Sequence, residues 1–147
     1  YRLTMRRGSS LIGTVPDAVQ VGPKVCLIIK YSASDGDLFP WGFRALGLGK
    51  LIGTRTWGGI IGISGPLPYM DGTDIRVPFF TSYDPKTGNL IIENHGVDPD
   101  ILIDNDPIKE WNGEDQQLDR AIEEVMKQLK ERKPLAPVPA PRDWSHK

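Results

Sequence analysis

A strand, a tight turn and the start of a helix follow one another between residues 25 and 39, and this succession constrains the fold more than any other part of the sequence. Residues 25–29 form an apolar run rich in β-branched side chains, typical of a strand that is buried on both faces. Ala33, Ser34 and Gly36 are small enough for a sharp bend. Large apolar residues then recur three and four positions apart from Leu38 to Leu48, which predicts a helix with one buried face.

The serines of this turn have two possible roles. Backbone N–H groups at a helix start can stabilise an anion, so a serine placed there lies beside a ready oxyanion site, as in other strand–turn–helix serine nucleophiles. The alternative is that Ser32 and Ser34 only cap the helix, while Asp35 and Asp37 favour its positive end. Taken alone, the stretch favours capping, because serine is a common capping residue.

The helix is expected to hold Pro40 in its first turn, where a proline loses no hydrogen bond, and to end at Gly47 and Gly49. Residues 50–53 then predict a short strand. Strand, helix and strand in this order most simply form a parallel right-handed crossover. The sequence therefore indicates an α/β fold.

Two turn signals farther along predict antiparallel hairpins. Asp71-Gly72 lies between candidate strands at 69–70 and 75–77, and residues 84–89 lie between candidate strands at 79–80 and 90–92. The last strand would bring Glu93 to its end, a rigid position that suits a catalytic carboxylate. A solvated strand terminus is the alternative, which the residues alone favour. From Asp115 onwards, apolar residues at helical spacing predict a long amphipathic helix.

The chain is expected to have three parts. Residues 1–23 show no sustained period and are predicted to be irregular, with a short strand at 10–15. Residues 24–133 are predicted to form the folded core of the chain. Residues 134–147 contain four prolines and predict an extended tail that is disordered or rests on a neighbouring subunit.

The composition is that of a soluble globular domain, with 39% hydrophobic and 25% charged residues in 147. Eighteen basic against nineteen acidic residues give a net charge of −1, so nothing favours nucleic acid or an anionic membrane as a partner. No apolar stretch approaches the roughly 20 residues of a membrane span. The single cysteine, Cys26, is expected in the core and suits a reducing compartment. Four aspartates between 98 and 106 lack the glycine and glutamate of an EF-hand, so no metal site is predicted.

Three motifs in order, SASDGDLF, LGLGKLIGTRTWGG and ENHGVDPDI, resemble the C-terminal part of the catalytic core of the tricorn-type proteases, within the family of tail-specific and C-terminal processing peptidases. The resemblance runs from about Lys24 to about Ile122. It implies a ClpP/crotonase-like spiral with a mixed sheet, of which this chain holds the C-terminal part. It also implies that Ser34 is the nucleophile, that the backbone N–H of Asp35 belongs to the oxyanion hole, and that Glu93 is the carboxylate of the charge relay.

The resemblance also bears on the general base. In the tail-specific branch a lysine takes the proton, but an ungapped alignment puts Gly59 at its position. In the tricorn branch the base is a histidine oriented through a serine and a glutamate, and neither His95 nor His146 matches it. That histidine and its serine are expected upstream of this chain, in the same or a companion polypeptide. The loop with Trp57, Gly58 and Gly59 borders the active site in this family and is expected to contact substrate; a tight turn with Trp57 as core filler is the alternative.

The function implied by the resemblance is a cytoplasmic serine peptidase that hydrolyses peptides, needs no cofactor and assembles as a homo-oligomer. Because the first residue is not Met, we expect a fragment or a processed piece, and an upstream targeting segment stays open. One alternative is a catalytically inactive peptidase-fold module for assembly or peptide binding. Another, on fold analogy alone, is a protein that handles acyl-CoA.

Overall fold

The computed structural model describes residues 2–5, 12–64 and 68–134. Its strands are β1 Arg2–Met5, β2 Ile12–Val15, β3 Val25–Ile28, β4 Lys50–Gly53, β5 Gly62–Ser64, β6 Val77–Phe80 and β7 Ile101–Leu102, and its helices are α1 Asp35–Ala45, α2 Pro107–Trp111 and α3 Gln116–Glu131. The α/β class expected from the sequence, with parallel and antiparallel pairing together, is confirmed.

The parallel sheet has the strand order β3-β4-β7, and both α1 and α3 contact it. Val25 lies opposite Lys50 and Ile28 opposite Gly53, so the predicted parallel crossover from strand through helix to strand is confirmed. The core cluster and the side chains packed against it are Ile28, Phe43, Leu51, Val97, Cys26, Trp41 and Ile92. The core therefore lies between the parallel sheet and the elements packed against it.

Strand β3 is not buried on both faces, contrary to the prediction. Leu27 exposes 43% of its surface and Ile29, directly after the strand, exposes 46%. In the described part of the chain, β3 has a hydrogen-bonded neighbour on one edge only. Cys26 is partly buried against the core, and this burial raises the pKa of its thiol.

Helix α1 ends at Ala45 and is closed, as predicted, by Gly47, which has φ 61°. The N–H of Gly47 donates to Arg44 O at 2.9 Å and the N–H of Leu48 to Phe43 O at 3.1 Å, the paired bonds of a Schellman motif. Its start differs from the prediction, because the helix begins directly after Ser34 and Pro40 becomes its sixth residue. A proline inside a helix lowers stability by about 3 kcal/mol. The complete burial of the Pro40 side chain offsets part of this loss.

Helix α3 follows the predicted amphipathic segment, with Asp115 as its N-cap. Its buried Gln117 donates from Nε2 to Ile28 O and to Ile52 O, both at 2.8 Å, and so joins the carboxyl ends of β3 and β4. The buried Glu124 pairs with Lys50 Nζ at 2.8 Å.

The antiparallel strands form two small sheets of their own, β1-β2 and β5-β6. The Asp71-Gly72 turn is present, but the strands that flank it lie farther out than predicted, at Gly62–Ser64 and Val77–Phe80. Residues 90–92 do not form a strand, since only Leu90 bridges to Tyr83. Strand β1 lies in the segment that the sequence predicts to be irregular.

Residues 6–11, which overlap the predicted strand 10–15, and residues 135–147 of the proline-rich tail lie outside the described residues. The division of the chain at residues 23 and 133 stays a prediction.

Candidate active site

Ser34 occupies a strained turn between β3 and α1. Its backbone angles, φ 56° and ψ −114°, lie outside the regions that residues other than glycine ordinarily adopt. Its side chain makes no capping hydrogen bond to α1. The hydroxyl of Ser32 accepts from the N–H of Ile29 at 3.4 Å and is not a helix cap either. Helix capping therefore explains neither serine, and Ser34 is exposed.

The first turn of α1 leaves the backbone N–H of Asp35 without an acceptor among the residues that the structure describes. The N–H groups of Asp37 and Leu38 both donate to Ser34 O, at 2.8 and 2.9 Å. An unpaired N–H at the positive end of an 11-residue helix is suited to stabilise an anion that forms next to Ser34.

Residues 57–61 run alongside the Ser34 turn and are tied to it through the backbone. The N–H of Trp57 donates to Ser32 O at 2.8 Å, and the N–H of Ser34 donates to Gly59 O at 3.1 Å. The loop that the family resemblance pointed to is therefore in direct contact with the turn that carries the candidate nucleophile.

Asp37 is a fully buried carboxylate, with 0% of its surface exposed. Its oxygens accept from the N–H of Gly58 at 2.8 Å and from the N–H of Gly59 at 3.2 Å. Sequence reasoning treated this residue only as a charge that favours the helix start. The available signal was its position, three residues after Ser34 in SASDGDLF, which turns it back towards the same side of the helix.

The prediction that Glu93 lies at the end of a strand is wrong, because the residue lies within a tight turn. Its neighbours Ile92 and Asn94 have φ of 33° and 62°, values that exclude an extended strand. Glu93 Oε2 accepts from two successive backbone N–H groups, Ile60 at 2.7 Å and Ile61 at 3.0 Å. The Glu93 carboxylate is partly buried and accepts two hydrogen bonds, so Glu93 is not the solvated strand terminus of the alternative interpretation.

Ser34 and Glu93 line one cavity of about 610 Å³. Its walls consist of Ala33, Ser34, Asp35, Trp57, Gly59, Ile61, Gly62, Ile63, Phe80 and Glu93. Trp57 is 67% exposed, so it is not core filler. Gly58 is buried and does not line the cavity, in contrast to its expected substrate contact.

Sequence reasoning missed the apolar wall of Ile61, Ile63 and Phe80, because the pairing of β5 with β6 brings Ile63 and Phe80 to the same cavity.

The cavity walls, as far as the chain is described, contain no histidine or lysine. His95 is exposed and its Nε2 lies 2.7 Å from Asp98 Oδ2. His146 belongs to the tail outside the described residues. The residues described here thus hold a serine, a carboxylate and an unpaired N–H in one cavity, without a side chain suited to act as the general base.

Neither a metal-binding cluster nor a membrane-spanning helix is present in the described ranges of the chain. Within those ranges, no group of three or more His, Cys, Asp or Glu side chains is arranged to hold a metal ion. None of the described helices combines the length and apolar character needed to cross a membrane.

Comparison with known proteins matches residues 5–103 to peptidase family S41. The chain belongs to this family. Tricorn protease of Thermoplasma volcanium is 44% identical over 112 residues, and tricorn protease of Thermoplasma acidophilum is 40% identical over 125 residues. A crystal structure of tricorn protease superimposes with a TM-score of 0.75 at 38% identity, over 88% of this chain.

The S41 chain described here matches only a small part of these larger proteins. The alignments cover 76% and 85% of this chain but 11% of each Thermoplasma protein, and 12% of the tricorn chain of known structure. The likeness therefore assigns the family and the fold of this segment.

Proposed function

We propose that this chain carries the nucleophile, one oxyanion N–H and the relay carboxylate of a tricorn-type serine peptidase that hydrolyses peptides. The observation that carries the proposal is the meeting of Ser34 and Glu93 in one cavity, with Ser34 in a strained turn before a helix. Strained turns of this kind expose serine nucleophiles in other hydrolases.

In the proposed reaction, Ser34 Oγ attacks the scissile carbonyl carbon and its proton passes to a histidine. The backbone N–H of Asp35 stabilises the negative oxygen of the tetrahedral intermediate. The histidine then protonates the leaving amine, which departs and leaves an acyl-enzyme. A water molecule next attacks the acyl carbon; the histidine takes the proton of the water and returns it to Ser34 Oγ as the acid product leaves. Glu93 orients the histidine through a further serine. The N–H groups of Ile60 and Ile61 bind Glu93 Oε2, which leaves Oε1 for this purpose.

The histidine and its serine partner are proposed to come from an upstream segment, in the same or a companion polypeptide. Trp57, Ile61 and Phe80 give the cavity an apolar wall against which a peptide side chain can pack. The protein is further proposed to form a homo-oligomer and to act in the cytoplasm.

The second candidate is a catalytically inactive module that binds peptides or supports assembly. It is favoured by one observation, the lack of a histidine or lysine among the described walls of the cavity. The two candidates differ in whether Ser34 is reactive in the complete encoded protein.

A fluorophosphonate probe distinguishes them. In the complete protein, the probe is expected to label Ser34, and Ser34→Ala should abolish both labelling and peptide hydrolysis with little change in the melting temperature, because the residue is exposed. Ser32→Ala is the matched control and should retain both. Absence of labelling in the unmodified protein would favour the inactive module, and labelling of Ser32 would refute the assignment of the nucleophile.

A further inference from the structure

The Gly58-Gly59 pair is the point at which the two halves of the candidate site are joined. The N–H groups of both glycines donate to the buried Asp37. Their carbonyl oxygens face in other directions, since Gly59 O accepts from the N–H of Ser34 at 3.1 Å and Gly58 O from the N–H of Asn94 at 2.7 Å. One glycine thus holds the nucleophile turn and the other holds the turn that contains Glu93.

Two adjacent glycines have no side chains that could fix this geometry by packing. Glycine also has the largest freedom of backbone conformation, so such a pair needs an external anchor. A carboxylate provides one, because hydrogen bonds from N–H groups to an ionised acceptor are about twice as strong as those to a neutral one. Burial of Asp37 removes water as a competing partner.

We infer that Asp37 is a positioning residue that anchors Gly58 and Gly59 and thereby sets the separation of Ser34 from Glu93. This inference rests on the proposed catalytic roles of Ser34 and Glu93. Asp37 itself does not line the cavity. Its removal should therefore impair the chemical step while substrate binding is retained.

The test is Asp37→Asn in the complete encoded protein. Asparagine keeps the volume, but its amide group presents N–H donors where the second carboxylate oxygen accepted, so one glycine N–H loses its partner. We expect kcat to fall by about 10²-fold with KM unchanged, the effect of a displacement of about 1 Å in a catalytic group. The rate constant for fluorophosphonate labelling of Ser34 should fall by a similar factor.

These rates are measured well below the melting temperature of each variant, with the folded state verified by circular dichroism and amide NMR. The matched control is Asp119→Asn, an exposed aspartate in the first turn of α3, which should leave both rates unchanged. A purely structural Asp37 would lower the melting temperature while the labelling rate of the folded protein stayed at the unmodified value, and this outcome overturns the inference. If Asp37→Asn does not fold, Asp37→Ser is measured by the same criteria.

The unmodified protein separates this inference from the proposed function. If its Ser34 is not labelled, the proposed function fails and the inference falls with it. If Ser34 is labelled and the folded Asp37 variant retains the unmodified kcat and labelling rate, the inference alone is refuted.

Discussion

The backbone N–H of Ser34 donates a hydrogen bond to the carbonyl oxygen of Gly59 at 3.1 Å. Position 59 is where the resemblance puts the catalytic lysine of the tail-specific branch, and here it supports the candidate nucleophile through its backbone instead. A side chain on Gly59 would collide with the ring of Trp57. The described geometry therefore disfavours a lysine at this position unless Trp57 moves, in agreement with a mechanism that takes its base from elsewhere.

The first prediction concerns Glu93→Gln in the complete protein. The amide keeps the size of the side chain but loses the negative charge, so it cannot hold a histidine in the orientation and protonation state that the reaction needs. We expect kcat to fall by as much as about 10⁴-fold, as for an orienting carboxylate in other serine hydrolases, and KM to change little. Steady-state peptide hydrolysis measures both. Glu123→Gln, on the exposed side of α3, is the control, and an unaffected rate for Glu93→Gln would make Glu93 a structural residue.

The second prediction compares two glycines with positive φ. Gly96 has φ 82° and a side chain there would collide with the backbone of Thr56, whereas Gly88 has φ 72° and open space around it. Gly88→Ala should lower the free energy of unfolding by about 1 kcal/mol, from backbone strain alone. Gly96→Ala should lower it by about 1–3 kcal/mol more, from the added overpacking. Equal losses in chemical denaturation would show that the Gly96 contact with Thr56 is not tight.

The parts of the fold that sequence reasoning recovered are those set by local patterns. The strand–turn–helix around Ser34, the C-terminal glycine of α1 and the amphipathic helix from Asp115 onwards each follow from residues a few positions apart. The apolar residues 90–92 predict a strand that ends at Glu93, but the chain turns there, closed by bonds to Ile92 O, and the N–H of Asn94 donates to the distant Gly58 O. Such long-range contacts leave no periodic signal in the sequence.

The sequence alone does not indicate the role of Asp37, for a related reason. An aspartate in a first helical turn has a sufficient local explanation in the helix dipole. Its partners lie about twenty residues later, in a glycine-rich loop that has many possible conformations. Only the assembled structure brings these groups together.

The third prediction concerns pH. Hydrogen bonding to Lys50 is the main cause that lowers the pKa of Glu124 from 4.5 to about 2, with a smaller contribution from Gln128. Because the pKa in the folded state is lower than in the unfolded state, this carboxylate stabilises the fold above pH 4.5, and the stabilisation is lost as the pH falls towards 2. NMR titration of the carboxyl carbon should give this low midpoint.

Lys50→Met should raise the pKa of Glu124 and destabilise the protein at neutral pH, because it leaves the buried carboxylate with only the longer ionic contact to Arg120, at 3.5 Å. Asp71→Asn is a suitable control, since Asp71 is exposed and has its partners within its own turn. A Glu124 midpoint near 4.5 in the unmodified protein would contradict the ion pair described here.

The last prediction is that residues 1–147 alone cleave peptides very slowly. The described cavity contains the serine, the carboxylate and the unpaired N–H of Asp35, but no histidine or lysine to accept the proton of Ser34. Oxyanion stabilisation without a base leaves only a small fraction of the activity of a serine protease. The edge of β3 that has no neighbour among the described strands, together with the exposed Leu27, also offers a surface on which a further strand could pair.

Kinetics on the purified 147-residue chain, with its fold verified by circular dichroism, decide this prediction. Peptide hydrolysis should be close to background and should rise when the proposed upstream segment is added in trans. His95→Ala should not change the restored rate, because the His95 ring is exposed and paired with Asp98 outside the cavity. Robust hydrolysis by the isolated chain that His95→Ala abolishes would instead make His95 the base, reached by a movement of the turn that follows Glu93.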